Sequence, residues 1–314
     1  MDIKYDYIIY HQNCFDGFTG FYLFMKTKYW QKKPTVYPDQ PHAKEVPPGI
    51  EGKNVIIIDV AYKPVILHEI AKKAKRVLFI DHHISIINEI KELKLQLTGE
   101  SLEIFYDDKL SGASLVWKYF YKNKKMPKFV KYIEDNDIGR WALEDSVPFI
   151  AGLEVEYKTD PTHENLKKWD RLLNKKVLKE LVERGRNYNM YKSYLIDKYK
   201  KKTNYMYFPS KKLVNMGLFD KEGVYKVAVI NSNCPSVSLL GKRIAEEGDY
   251  DFVFLYIYDI YKRKYFVSLR SKKADVTDIA KRFGGGGHTL ASAFSINRDE
   301  FNIDDLFNRE KIVD

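Results

Sequence analysis

An apolar run that stops abruptly on three polar residues constrains this chain more than any other feature. Arg76-Val77-Leu78-Phe79-Ile80 is continuously apolar after its first residue and partly β-branched, so it reads as a strand buried on both faces. Asp81-His82-His83 follows without a break. At the carboxyl end of a strand in an open α/β sheet, side chains project into the crevice where ligands bind. Buried carboxylates and imidazoles are costly unless paired or liganded, and a metal ion is the natural reason for three in succession.

The pattern recurs upstream. Tyr7-Ile8-Ile9-Tyr10 reads as a first strand and runs directly into His11-Gln12-Asn13-Cys14-Phe15-Asp16-Gly17, while Val55-Ile56-Ile57-Ile58 ends in Asp59. Helical spacing over about residues 16–29 (Phe18, Phe21, Tyr22, Leu23, Met25) and over Pro64 to Lys75 separates these strands. The stretch carrying Pro34, Pro38, Pro41, Pro47 and Pro48 reads as a connection. A βαβα alternation implies a parallel sheet with right-handed crossovers, which brings His11, Asp16, Asp59 and Asp81-His82-His83 to one edge. Asp16 alone suits a helix N-cap as well as it suits a ligand. Three successive strands ending in metal-ligand residue types favour a site over coincidence.

Glu103 to Tyr106 reads as a further strand, and the small residues of Ser111-Gly112-Ala113-Ser114 open a helix through Tyr121 that can pack closely beside the site. A helix from Pro127 ends in Glu134-Asp135-Asn136-Asp137. Acids at the negative end of a helix dipole are unfavourable unless a cation lies beside them. Asp135 or Asp137 is therefore a candidate last ligand, with Asp135 preferred. From about Val147 to Lys202 the pattern is helical and charged, with no candidate chemistry.

The remainder alternates again: a strand over Val224–Ile230, a helix over Val237–Glu247, strands over Asp251–Tyr258 and Lys264–Arg270 joined by a turn, and a helix near Val276–Arg282. Then comes Gly284-Gly285-Gly286-Gly287-His288. Such a run is expected outside helix and strand interiors, as bare backbone whose N–H groups can surround an oxyanion. The expected fold class is α/β. An N-terminal parallel-sheet domain with flanking helices and a helical connector covers 1–202, and a smaller mixed-sheet α/β domain covers 203–314.

Charge and cysteine usage narrow the function. Lys and Arg number 53 against 43 Asp and Glu, a net charge of +10, which favours an anionic partner such as a nucleotide or nucleic acid. With two cysteines, neither a disulfide framework nor a zinc site built from cysteines is expected. No apolar run approaches the ~18 residues of a membrane span and the opening residues lack a signal-peptide pattern, so a cytoplasmic location without membrane partners is expected.

Taken together these motifs resemble the DHH-family phosphoesterases, which include RecJ-like nucleases, nanoRNases and cyclic-dinucleotide phosphodiesterases. Asp81-His82-His83 is similar to the name-giving motif, His11…Asp16-Gly17 to the first, Asp59-Val60-Ala61 to the second and Asp135-Asn136-Asp137 to the fourth. The C-terminal half resembles the DHH-associated substrate domain, with Val267-Ser268-Leu269-Arg270-Ser271 and the glycine run. The likeness covers nearly the whole chain. It departs in the first motif, where Asn13 and Cys14 stand near the place of an expected Asp.

The resemblance implies a phosphodiesterase acting on short oligonucleotides or nucleotides, as an exonuclease or cyclic-nucleotide phosphodiesterase. It would use two divalent cations, Mn²⁺ first, with Mg²⁺ or Co²⁺ as alternatives. Asp59 would bridge the ions, His11 would hold one, and Asp16, His82 and Asp135 (or Asp137) the other. Asp81 would orient His82, and His83 would face the scissile phosphate. Arg270, Ser271, Gly285, Gly286, Gly287 and His288 would grip the substrate. The alternatives are a pyrophosphatase or small-molecule phosphatase on the same centre, or a nucleic-acid-binding module with weak turnover.

Overall fold

Runs of Ile, Val and Tyr dictate the first sheet. β1 (Tyr5–His11), β3 (Asn54–Ile58) and β4 (Arg76–Asp81) are buried at almost every position, as strands covered on both faces must be. With β2 (Trp30–Asp39) and β5 (Leu102–Tyr106) they form an all-parallel sheet in the order β2-β1-β3-β4-β5. The computed structural model describes residues 3–41, 43–83, 101–122 and 124–309, and the chain divides into two compact units, Met1–Asn189 and Met190–Asp314.

Strand register sets up everything that follows. Tyr10 is paired with Ile58, and Ile58 with Ile80, in three adjacent parallel strands. The residues one step further, His11, Asp59 and Asp81, therefore emerge side by side at the carboxyl ends. The period-two alternation of a strand sorts the rest into two cores. Ile8, Tyr10, Ile56, Ile58, Leu78 and Ile80 face α1 (Phe15–Met25), α3 (Gly112–Tyr121) and α4 (Lys128–Asp137), in a core rich in rings. Tyr7, Ile9, Val55, Ile57, Val77 and Phe79 face α2 (Pro64–Lys73) through Leu67, Ile70 and Ala71.

β2 was not expected, because the stretch reads as a Pro-rich connection. It is an edge strand pairing only with β1, and an edge is where Pro34 and Pro38 cost least, since one side of the strand needs no ladder partner. Beyond α4, helices α5 (Ser146–Glu156), α6 (His163–Asp170) and α7 (Lys175–Lys200) follow. Trp169 of α6 is fully buried against Phe18, Tyr22 and Tyr157, and its indole N–H donates to Lys158 O at 2.9 Å. α5 and α7 approach at glycines: a Cβ on Gly152 would sit 2.8 Å from Leu181 O, and one on Gly185 only 1.8 Å from Pro148 O.

The second unit carries a mixed six-stranded sheet in the order β10-β11-β9-β8-β7-β6. Only β7 (Tyr225–Asn231) and β8 (Phe252–Asp259) pair in parallel, across α9 (Val237–Glu247). A short helix, α8 (Lys211–Asn215), follows the antiparallel edge strand β6 (Asn204–Phe208). β9 (Lys264–Arg270), α10 (Thr277–Arg282), β10 (Gly286–His288) and β11 (Ala291–Asn297) complete the unit. The glycine run is thus not wholly a loop: Gly286, Gly287 and His288 form an edge strand paired antiparallel with Ala293, Ser292 and Ala291. Its glycines answer to backbone contact, since a Cβ on Gly285 would lie 2.2 Å from Ala293 O, and Gly287 holds φ +146. The α/β class with a parallel first sheet and a mixed second one is as the sequence implies. No helix among the described residues is long and apolar enough to cross a membrane.

Gly185→Ala should lower the stability of the first unit by about 1–3 kcal/mol by forcing α5 and α7 apart, read as a drop in the urea midpoint with little change in slope. An unchanged midpoint would show that this helix crossing is not close-packed.

Candidate metal centre

Asp59 is the hinge of the site. It follows directly on β3 with φ +61, a left-handed conformation that is uncommon for a residue carrying a Cβ and that clusters at functional sites. Its N–H donates to Ile80 O at 2.9 Å, fixing it beside β4. α3 starts against it, and a Cβ on Gly112 would fall 2.7 Å from Asp59 Cβ and 2.9 Å from Asp16 Oδ2. The small residues at the start of α3 are there because two carboxylates occupy the adjoining space.

The two oxygens of Asp59 face different partners. Oδ1 lies 3.1 Å from His82 Nε2. Oδ2 lies 3.4 Å from His11 Nδ1 and 3.6 Å from the Cys14 thiol. His82 Nε2 also stands 3.4 Å from Asp137 Oδ2 and 4.0 Å from Asp16 Oδ2. Two donor sets result, His11/Cys14/Asp59 and Asp16/His82/Asp137, with Asp59 between them; Asp81 and His83 adjoin the same group.

Of the two carboxylates offered by α4, Asp137 joins this group and Asp135 does not. Asp135 accepts hydrogen bonds from Ala142 N–H (2.9 Å), Leu143 N–H (3.1 Å) and the Ser146 hydroxyl (2.5 Å), so it ties down the loop after its own helix. Burial opposes its charge, but these donors outweigh burial and hold its pKa below the usual range. Asp135 is the buried member of the pair and Asp137 the more exposed, and it is from the last residue of the helix that the Asp137 carboxylate reaches His82.

One open alternative closes and one expectation changes. Asp16 does not cap α1. Cys14 is the N-cap and caps with no side-chain bond, while Asp16 sits buried in the first turn and accepts from Ala113 N–H at 3.1 Å through Oδ1. Asp81 orients the ring of His83 rather than that of His82. Its Oδ1 accepts from both backbone N–H groups (2.6 and 2.9 Å) and contacts His83 Nδ1 at 2.6 Å.

The electrostatics are those of carboxylates crowded together around imidazoles. Burial, then Asp137 and Asp59, push the Asp16 carboxyl well above its ordinary range. Burial and Asp59 raise Asp137 to about 6. Asp59 is also disfavoured by burial, yet the facing His11 and His82 imidazoles bring it down to about 2. Burial works against a charged His82, but the carboxylates of Asp59, Asp16 and Asp137 lift it to about 9. Burial, then Asp59 and Asp16, push the Cys14 thiol up. Three buried polar atoms, His11 Nδ1, Asp16 Oδ2 and Asp81 Oδ2, have no hydrogen-bond partner. Unsatisfied buried atoms of this kind are rare without a ligand to meet them, and the His, Asp and Cys donors fit divalent cations.

The expected substrate residues belong to the second unit. The Arg270 guanidinium donates to Ser238 Oγ (2.8 Å) and Leu269 O (2.7 Å), and lines a cleft of about 680 Å³ with Ser271, Lys242, Lys272 and Leu290. The Ser271 hydroxyl is occupied in a turn, donating to Asp251 O and accepting from Lys273 and Ala274 N–H. His288 is exposed at the end of β10.

No family model matches the chain. A protein of Acanthamoeba polyphaga mimivirus, described only as uncharacterized, is 27% identical over 308 residues, which cover 93% of this chain and 68% of that one. Among solved structures, a pGpG-specific phosphodiesterase from Vibrio cholerae superposes with a TM-score of 0.51 at 15% identity, covering 95% of each chain. A putative family II inorganic pyrophosphatase from Methanococcus jannaschii is covered to 98%, with 97% of this chain, at 14% identity, but its TM-score of 0.32 is too low to carry an argument. The chain shares the fold of the Vibrio phosphodiesterase.

In chelator, Asp137→Asn should raise the melting temperature at pH 7.5. The Asp137 carboxyl titrates near 6 in the folded protein and near 3.8 unfolded, so its charge costs stability as pH rises through that window and the gain should fade below pH 4. Asp135→Ala should instead lower stability by about 1–3 kcal/mol by removing the acceptor of three donors, the buried Ser146 hydroxyl among them. Melts of both variants across pH check the contrast.

Proposed function

We propose that this protein is a metal-dependent phosphoesterase of the DHH type that hydrolyses phosphodiester bonds in nucleotide-containing substrates, short oligonucleotides or nucleotides. The observation that carries the reading is Asp59, which turns one oxygen to each of two donor sets. Asp59 would be shared by two divalent ions, Mn²⁺ by preference. His11 would hold one ion, and Asp16, His82 and Asp137 the other, with Asp137 in the place first assigned to Asp135. When bound, such ions supply Lewis acidity, lowering the pKa of water and neutralising phosphoryl charge.

The chain's own residues do the rest. Asp81 fixes the His83 ring through Nδ1, leaving Nε2 to donate to a phosphoryl oxygen. Both nitrogens donate only in the protonated ring. Burial opposes that form, while Asp81 and Asp59 favour it strongly enough to raise the pKa. In the second unit, Arg270 and His288 would bind phosphate charge, helped by the outer N–H groups of the β10 edge and by the basic balance of the chain. The shared fold with a pGpG phosphodiesterase supports a nucleotide substrate, and the absence of free hydroxyl capacity at Ser271 makes it a positioning residue for the loop that follows Arg270.

Chelation should silence hydrolysis and Mn²⁺ should restore it, assayed on 5′-labelled dinucleotides, short RNA and DNA, a cyclic dinucleotide and pyrophosphate. Asp81→Ala with His82→Ala should abolish turnover in a folded protein, and His83→Gln alone should cost roughly 10–100-fold in kcat. Cleavage of pyrophosphate alone, or turnover that survives chelation, would reject the proposal.

A further inference from the structure

The two donor sets around Asp59 are chemically unequal. One contains the carboxylates of Asp16 and Asp137 with His82, and with Asp59 Oδ1 it offers three oxygens and one nitrogen. The other offers one nitrogen, one sulfur and one oxygen, from His11, Cys14 and Asp59 Oδ2. Cys14 is not placed as an apolar filler. Its sulfur lies 3.6 Å from a carboxylate oxygen, Asp59 Oδ2, and as the N-cap of α1 it makes no side-chain cap. That position puts its sulfur at the N-terminal end of an eleven-residue helix, beside Asp59 and His11.

Spacing separates the sets as well. At a four-coordinate zinc-type ion, bonds of about 2.0 Å to nitrogen or oxygen and about 2.3 Å to sulfur place neighbouring ligand atoms about 3.3–3.4 Å (N to O) and about 3.5–3.6 Å (S to O) apart. The distances here are 3.4 Å from His11 Nδ1 to Asp59 Oδ2 and 3.6 Å from Cys14 Sγ to the same oxygen. Around an octahedral ion with bonds of about 2.0–2.1 Å, neighbours stand about 3 Å apart and opposite ligands about 4 Å. His82 Nε2 is 3.1 Å from Asp59 Oδ1, 3.4 Å from Asp137 Oδ2 and 4.0 Å from Asp16 Oδ2, a wider spread than in the other half, so the donor types carry the distinction more than the spacing does.

We infer that the centre is built for two different ions, with Cys14 a ligand that gives the His11/Cys14/Asp59 half a preference for a thiophilic, four-coordinate cation of the Zn²⁺ or Co²⁺ class, while the Asp16/His82/Asp137 half takes an oxygen-preferring ion such as Mn²⁺. This rests on the proposed metal centre and deepens it by dividing the cofactor requirement between the halves.

Cobalt serves as the probe, because a thiolate ligand adds a sulfur-to-metal charge-transfer band and four-coordination intensifies the visible bands. The chelator-stripped full chain, titrated with Co²⁺, should show both, and Zn²⁺ should displace them at far lower concentration than Mn²⁺. Cys14→Ser should lose the charge-transfer band and bind Co²⁺ at this half roughly tenfold or more weakly. Cys14→Asp should keep Co²⁺ but with the weak visible spectrum of six-coordination, and Cys234→Ala, which alters the only other cysteine, should keep the band. Co²⁺ bound without that band, or a band surviving in Cys14→Asp, would overturn the inference while leaving the metal centre standing. No Co²⁺ bound by any of these proteins would overturn both.

Discussion

Three carboxylates around one imidazole nitrogen are the constraint on which the rest of the first unit depends. Asp16, Asp59 and Asp137 crowd His82 Nε2 within 4.0 Å. The carboxylates repel one another, as the raised Asp16 and Asp137 record, and together they favour a charged His82, as its raised pKa records. The arrangement persists because each residue is delivered by a different element already locked elsewhere. α1 is fixed by a ring-rich core that includes Phe18, Phe21, Tyr22 and Trp169, β3 and β4 by the sheet, and α4 by Phe129, Val130 and Ile133. The left-handed backbone of Asp59 is a further cost borne by the same packing.

What the sequence displayed, and what it hid, follows from how far each signal reaches. β1, β3 and β4 were plain because burial on both faces demands continuous apolar runs, and a polar residue ending each run is visible without knowing its neighbours. Their convergence also followed, since parallel crossovers leave all three carboxyl ends on one edge. β2 was hidden because Pro34 and Pro38 signal a loop unless the strand is known to be an edge, and edge position is a property of the assembled sheet. The partner of Asp81 lay beyond reach for a similar reason. Adjacent His82 and His83 have identical chemistry, and only the turn of the backbone after β4 decides which ring meets which carboxylate.

Asp135 and Asp137 illustrate a finer limit. Both are acids near a helix end, both avoid solvent at least in part, and composition alone cannot rank them. The ranking comes from what lies opposite each: a loop rich in N–H donors for Asp135, a cluster of like charge for Asp137. The glycine run of the second unit shows the converse. Its residue types invited a free loop, whereas at Gly285 and Gly287 the missing side chains make room for the backbone of β11. An edge strand of bare backbone still leaves outward N–H groups, so close packing and anion binding are compatible uses of the same residues.

The division of labour between the paired histidines closes the argument from fold to chemistry. Asp81 Oδ1 gathers the N–H groups of both residues, and the two rings lie against each other, centroids 4.6 Å apart and tilted by 49°. One ring is left with its Nε2 among carboxylates that repel one another, where an uncharged donor to a cation removes the conflict. The other is held through Nδ1 to the Asp81 oxygen. Exchanging the two roles would require Asp81 to release His83 and Asp59 to release His82, breaking contacts of 2.6 and 3.1 Å at once. The order Asp-His-His at the end of a buried strand therefore gives the two rings different carboxylate partners, Asp59 for His82 and Asp81 for His83, and the proposed division between metal and substrate builds on that difference.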